Sequence, residues 1–242
     1  MMTIKASGWL AAVAVALAAC GPLPPPGPAK TGPVPAGFPE AYYRQAQARG
    51  EAVLRVDAAR SLAVVEVRRA GVLARLGHDH VVAGHGLQGY VAPGEGRADL
   101  YLALDRLQVD EPGLRAEAGF DTQPSREAIE GTRGNMLDKV LETGRFPFAL
   151  IHVTRKDDQT LVLALTLHGV TRELEVPARI ESLPDGMAVS GRLAFNQSDF
   201  GIVPFSVLGG ALQVQDRVDL RFRIHAVRTE SLEKAPAAPA GP

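Results

Sequence analysis

Four residues within eight positions carry chemistry that could act together: His78, Asp79, His80 and His85. On a strand, positions 78 and 80 point to the same side. Two imidazoles placed that way could share a Zn²⁺ or Cu²⁺ ion, or meet the polar head group of a ligand. The competing reading is a solvated or capping loop, because Gly77, Gly84 and Gly86 flank the cluster and His–Asp pairs hydrogen-bond locally. His152, His168 and His225 fall on outward positions of their strands and read as solvated. Nothing reads as a nucleophile system. There is no Gly-x-Ser-x-Gly, and Ser198 and Ser206 lack a nearby acid–base pattern. Gly209-Gly210 lacks the lysine of a phosphate loop. The chain therefore reads as a binding protein and not an enzyme, with no built-in cofactor.

Composition narrows the class. The 242 residues carry a formal net charge of -1, 46% hydrophobic residues and a single Cys, Cys20. That apolar content excludes a disordered chain. The balance of 26 basic against 27 acidic residues argues against a nucleic-acid partner. One Cys forbids an internal disulfide and a Cys-cluster zinc site. Residues 1–19 combine Lys5 with an apolar run from Trp9 to Ala19, too short to span a bilayer, and read as a signal peptide. The junction Leu17-Ala18-Ala19-Cys20 resembles the lipobox of bacterial lipoproteins. That resemblance implies lipidation of Cys20 and a membrane anchor on the periplasmic side. Gly21, in place of the retention-signal Asp, points to the outer membrane. Residues 20–50 read as a proline-rich tether, with a short helix expected over Phe38–Gly50. Residues 51–228 read as one folded domain and 229–242 as a disordered tail.

The elements that must position the histidines are strands. Period-two alternation places Leu161, Leu163, Leu165 and Leu167 on one face. It does the same for Val218, Leu220, Phe222 and Ile224, for Met187, Val189, Leu193 and Phe195, and for Leu100, Leu102 and Leu104. Leu174, Val176 and Ile180 form a fifth set, and Leu54–Val56, Val65–Val67 and Ala149-Ile151-Val153 form shorter ones. Ser125–Glu142 breaks the pattern with helical spacing, Ser125 as N-cap and two costly glycines, Gly131 and Gly134. About eight strands with one apolar and one charged face mean an antiparallel sheet, closed into a barrel. The inner face either packs solid or holds one apolar ligand, and periodicity leaves both open. The expected lining is Val65, Val67, Leu100, Leu102, Leu104, Ile151, Leu161, Leu163 and Leu165, with Leu174, Val176, Val189, Leu193, Phe195, Leu220, Phe222 and Ile224. The charged outer face excludes a membrane-spanning barrel.

Three segments carry a family resemblance. They are Arg145–Ile151 (RFPFALI), Leu165–Leu174 (LTLHGVTREL), and Asp199–Ile202 (DFGI) followed by Asp216–Leu220 (DRVDL). In order and spacing they resemble the YceI-like periplasmic proteins. The resemblance implies an all-β, lipocalin-like extended antiparallel barrel with one helix packed at one end. It also implies a lumen that binds a long polyisoprenoid, quinone-like or related amphiphilic lipid. The sequence departs from the family at Gly134–Asp138, which has no matching His, and at the His78–His85 cluster. A metal-binding or stress-related lipoprotein using His78, His80 and His85 is the alternative. A homodimer is left open, since no decisive apolar patch marks an interface.

Overall fold

The computed structural model describes residues 33–229. The expected signal peptide, Cys20, most of the tether, and the tail from 230 lie outside the described residues. Twelve strands form one antiparallel sheet. They are β1 (Leu54–Val56), β2 (Leu62–Ala70), β3 (His80–Gly84), β4 (Gln88–Ala92), β5 (Arg97–Ala103), β6 (Gln108–Val109), β7 (Phe148–Arg155), β8 (Thr160–Leu167), β9 (Val170–Leu183), β10 (Gly186–Asn196), β11 (Ser206–Val207) and β12 (Leu212–Arg228). Three strands are broken. β1 and β2 run on across residues 57–61, β3 and β4 across 85–87, and β5 and β6 across 104–107. β4 pairs with β1 and β3 with β2, while β5 pairs with β4 and β6 with β3. Counting each broken pair once and setting aside the two-residue β11, which pairs only with β12, eight antiparallel strands follow in chain order. The long β12 pairs with β10 on one edge and with β1 and β2 on the other, which closes the barrel.

The periodic sets land on these strands, and closure leaves no free barrel edge to template aggregation. One residue departs from the expectation. Leu104 is not on a strand: β5 ends at Ala103, and Leu104 sits buried in a 3-10 turn that breaks the strand, its N–H bonded to the Pro147 carbonyl at 2.9 Å.

β9 and β10 pair only between residues 178–183 and 186–191. Beyond Ala178 and Gly191 the two strands separate. A 3-10 turn at Gln197–Phe200 and the following Ile202 pack there, with Phe200 and Ile202 buried against Leu165, Val170, Leu174 and Phe195. Gly191 is needed at the divergence, since a Cβ would come within 2.9 Å of the Pro177 carbonyl oxygen.

Among the described residues three α-helices accompany the barrel, the two expected and α2. α1 (Glu40–Ala48) lies against β4, with Tyr43 and Ala46 completely buried beside Val53 and Ala92. The packed body therefore begins before residue 51, inside the stretch read as tether. Tyr43 Oη donates to Asp99 Oδ2 at 2.6 Å, and Asp99 also accepts from Arg97 and His152. Burial would raise the Asp99 carboxyl, but these three donors hold it below its ordinary value. α2 (Pro112–Glu117) starts with proline in its first turn. α3 (Arg126–Asn135) is capped as expected, Ser125 Oγ accepting from the Ala128 N–H. It passes into a π turn over Met136–Val140, a widened turn that re-aims side chains.

Candidate ligand-binding cavities and the histidine site

The interior holds two cavities, one toward each end of the barrel. The first, about 180 Å³, is almost wholly apolar. Its walls include Leu100, Ile151, Leu161, Leu163, Val189, Leu220, Phe222 and Ile224 from the expected lining, together with Ala63, Leu87, Val153 and Ile180. Two arginines, Arg97 and Arg155, also border it. Each is paired with a carboxylate, Arg97 with Asp99 and Arg155 with Asp158.

The second cavity, about 280 Å³, lies under α3 and the π turn. Val67, Val82, Met136, Val140, Phe205, Leu212 and Val214 supply its apolar surface, and His78, His80, Thr132, Asn135 and Gln197 its polar groups. The two cavities share no lining residue. Strand parity shows what separates them. On β2, Ala63 faces the first and Val67 the second, with Val65 between. On β5, Leu102 follows Leu100, and its side chain packs onto Gly84, where a Cβ would lie 2.5 Å from Leu102 Cδ2. Val65 and Leu102 line neither cavity and belong to one core cluster, which marks a waist between the two chambers. Leu104, Leu165, Leu174, Val176, Leu193 and Phe195, also expected to line a cavity, line neither chamber and pack in the surrounding core or, for Leu193, beside it.

His78 and His80 do face one side, with ring centroids 6.2 Å apart. They reach the second chamber and not the first, apolar one. His80 Nδ1 lies 2.6 Å from Asp110 Oδ2, and the Asp110 side chain is fully buried. Asp110 Oδ1 accepts from Arg115 at 2.5 Å and from the Val81 N–H at 3.1 Å. Arg115 is itself buried and also donates to the carbonyls of Asp79 and Thr122. Burial alone would raise the Asp110 carboxyl; hydrogen bonds from His80, Arg115 and Val81, with the neighbouring positive charge, hold it below its usual value. An ionised Asp110 can only accept, so His80 Nδ1 carries the proton and its Nε2 is left for the cavity. His78 Nδ1 is buried with no partner among the described residues. Asp79 is occupied, accepting from the Arg69 N–H at 2.8 Å.

His85 does not join the pair. It lies past the far end of β3 and its Nε2 meets Glu111 Oε1 at 2.6 Å. Among the described residues no group of three or more His, Cys, Asp or Glu side chains converges on one point. The proposed His78/His80/His85 metal cluster is corrected accordingly: β3 begins at His80, and its remaining residues carry His85 away from the other two. The remaining histidines are less solvated than their parity suggested. His225 points outward but the loop bearing Ser61 covers it, Ser61 Oγ accepting from the His225 N–H at 3.0 Å. His168 is in the β8–β9 turn with φ 52, beside Phe146 and Glu142. Only His152 is substantially exposed, and it pairs with Asp99.

Sequence reasoning missed Asp110 and Arg115, the groups that orient His80. They lie 30 and 35 positions from it in the chain. The one available signal was Asp110-Glu111-Pro112, a charged pair at a helix start.

The model of the YceI-like domain matches residues 105–226. The chain belongs to that family. Among solved structures, it is similar to a polyisoprenoid binding domain from Saccharophagus degradans implicated in plant cell wall breakdown. The TM-score is 0.53 at 15% identity, over 74% of this chain and 99% of that one. It is also similar to BcnA of Burkholderia cenocepacia, with a TM-score of 0.49 at 15% identity, over 70% of this chain and 98% of that one. No curated protein matches. The first likeness agrees with the closed YceI-type barrel described above.

Proposed function

We propose that this YceI-like barrel binds a long-chain isoprenoid or similar amphiphile, as a carrier or sequestering protein and not as a catalyst. The observation that carries the reading is the apolar chamber walled by Leu100, Ile151, Leu163, Leu220 and Phe222 inside a closed barrel. Membership in a family with a polyisoprenoid-binding relative supports it. Apolar burial, at roughly 25 cal/mol per Å², is the force such a wall can exert. At about 180 Å³ the chamber resembles cavities of about 150 Å³ that take one benzene. A longer chain must part Val65 from Leu102 and enter the second chamber.

In that second chamber the head group meets His78 and His80. Asp110 is paired with Arg115, and Asp79 with Arg69. The chamber suits a neutral O–H-bearing head group, an alcohol or quinol, hydrogen-bonded at His80 Nε2. The lipobox-like Cys20 would anchor the barrel by its proline-rich tether on the periplasmic side of the envelope, at the outer membrane, since several acyl chains hold where one does not.

The test is organic extraction and mass spectrometry of full-length protein purified from its host, followed by calorimetry with prenyl alcohols. A co-purifying long-chain lipid, and prenyl alcohol binding lost in Leu163→Trp, are expected. Absence of both lipid and prenyl binding would overturn the reading. For the anchor, labelled palmitate should be incorporated by the native chain and not by Cys20→Ser.

A further inference from the structure

The mouth of the histidine chamber is bordered by two loops, residues 70–77 and 201–211. They are fixed to each other: the Leu73 N–H donates to the Ala211 carbonyl at 2.8 Å, and a Cβ on Gly71 would lie 2.5 Å from the same oxygen. Leu76, Phe205 and Leu212 continue from these loops into the chamber wall. Among the described residues, five of the six exposed large aliphatics sit here: Val72 (87%), Leu76 (66%), Val203 (79%), Val207 (39%) and Leu208 (72%). The same segments are nearly free of charge. Residues 70–77 contain one ionisable side chain, Arg75, and residues 201–215 contain none.

A water-exposed loop with such composition is unusual, and two of them at one cavity mouth call for a partner. From this placement we propose that loops 70–77 and 201–211 dock the barrel, histidine chamber first, onto a lipid bilayer surface. Three observations select a bilayer. The aliphatic side chains project from loop tips, as in peptides that seat an apolar face at the acyl boundary. The sole charge within the two loops is positive, and the neighbouring exposed carboxylate, Asp121, is paired with Arg69. Five loop side chains offer a few hundred Å² at most, against about 800 Å² per partner in a stable dimer, which disfavours a second copy. Docking in this orientation puts the chamber mouth at headgroup depth, so an amphiphile can enter without crossing water. That consequence rests on the carrier reading; the docking itself does not.

The test places one fluorophore at Val72→Cys, Leu208→Cys or Asp158→Cys, each in the full chain carrying Cys20→Ser. Asp158 is at the opposite end of the barrel, in the β7–β8 turn. Vesicles of phosphatidylethanolamine and phosphatidylglycerol with brominated chains are then added. Positions 72 and 208 should shift to the blue and be quenched, with position 158 unchanged. Val72→Asp combined with Val203→Asp should lower the vesicle-bound fraction about tenfold or more. Equal responses at all three positions, or none at 72 and 208, overturn the proposal. So does a blue shift that appears on concentrating the protein without vesicles, which would mean a second copy covers the rim. Docking retained in a protein with no lipid uptake would sink the carrier reading alone. Lipid uptake retained without docking would sink this proposal alone.

Discussion

The two chambers are built by opposite means. The apolar one is made mostly by strands: β5, β7, β8, β10 and β12 each contribute alternate aliphatic residues, with Leu87, Pro93 and Gly96 added from the connections. The histidine chamber is made where strands stop. It needs the start of β3, the residue after β6, α2, the π turn after α3 and the turn at Gln197–Phe200. Its polar groups are held by a buried ion pair, Asp110 with Arg115. Regular sheet supplies affinity for a chain, and irregular structure supplies direction for a head group.

The strongest way to break this contrast is to remove the buried anion. Asp110→Ala leaves Arg115 buried without its counter-charge and His80 without its orienting acceptor. Breaking one partner of such a pair costs about 3–5 kcal/mol, readable as a lowered midpoint in urea unfolding. If the two ends have separate roles, the folded variant still takes up an apolar chain but loses its preference for an alcohol over the matching ether. Preference retained in Asp110→Ala would mean that His80 does not read the head group.

Next in size is the waist. Leu102→Ala should cost about 3 kcal/mol, as other large-to-small core changes do, and should join the chambers. Calorimetry with a series of prenyl alcohols should then show longer chains favoured over short ones relative to the native protein. Gly84→Ala acts in reverse. Its Cβ would press on Leu102 at 2.5 Å, costing about 1–3 kcal/mol, and the chain-length preference should move toward short ligands. The same direction in both variants would show that Leu102 is not the divider.

The barrel was legible in the sequence because its information is local. Leu161, Leu163 and Leu165 announce an inner face by spacing alone, and Ser125 announces a helix start. The second chamber was only half legible. His78 and His80 could be placed on one side by parity, but their partner Asp110 is distant in sequence and looks like any loop carboxylate. Chamber boundaries were not legible at all. Leu102 and Leu100 have the same pattern, and which of them faces empty space depends on Gly84 on the adjoining strand. His225 misled for a related reason: outward parity says nothing about a loop folding over it.

Acidification should single out the apolar end in its first stage, because the lowered imidazole lies there, whereas carboxylates held low lie at both ends, Asp99 beside Arg97 and Asp110 beside Arg115. His225 flanks the apolar chamber, between Ile224 and Ala226. Burial first, then the charges of Arg60 and Arg223, hold its imidazole below the ordinary value of 6.5. Between the folded value and 6.5 the unfolded chain binds more protons, so stability falls as pH falls through that window and is level above it. Asp110, at the other end, is held below its ordinary value of 3.8. Its contribution is full above 3.8 and is lost only as pH drops further, through the folded value. Urea midpoints followed downward from neutral pH should therefore decline in two stages. One titrating imidazole can make the first stage no steeper than about 1.4 kcal/mol per pH unit. His225→Gln should flatten that stage and leave the second unchanged. A first stage that persists in His225→Gln would place the neutral-range titration elsewhere and remove His225 as the marker of the apolar end.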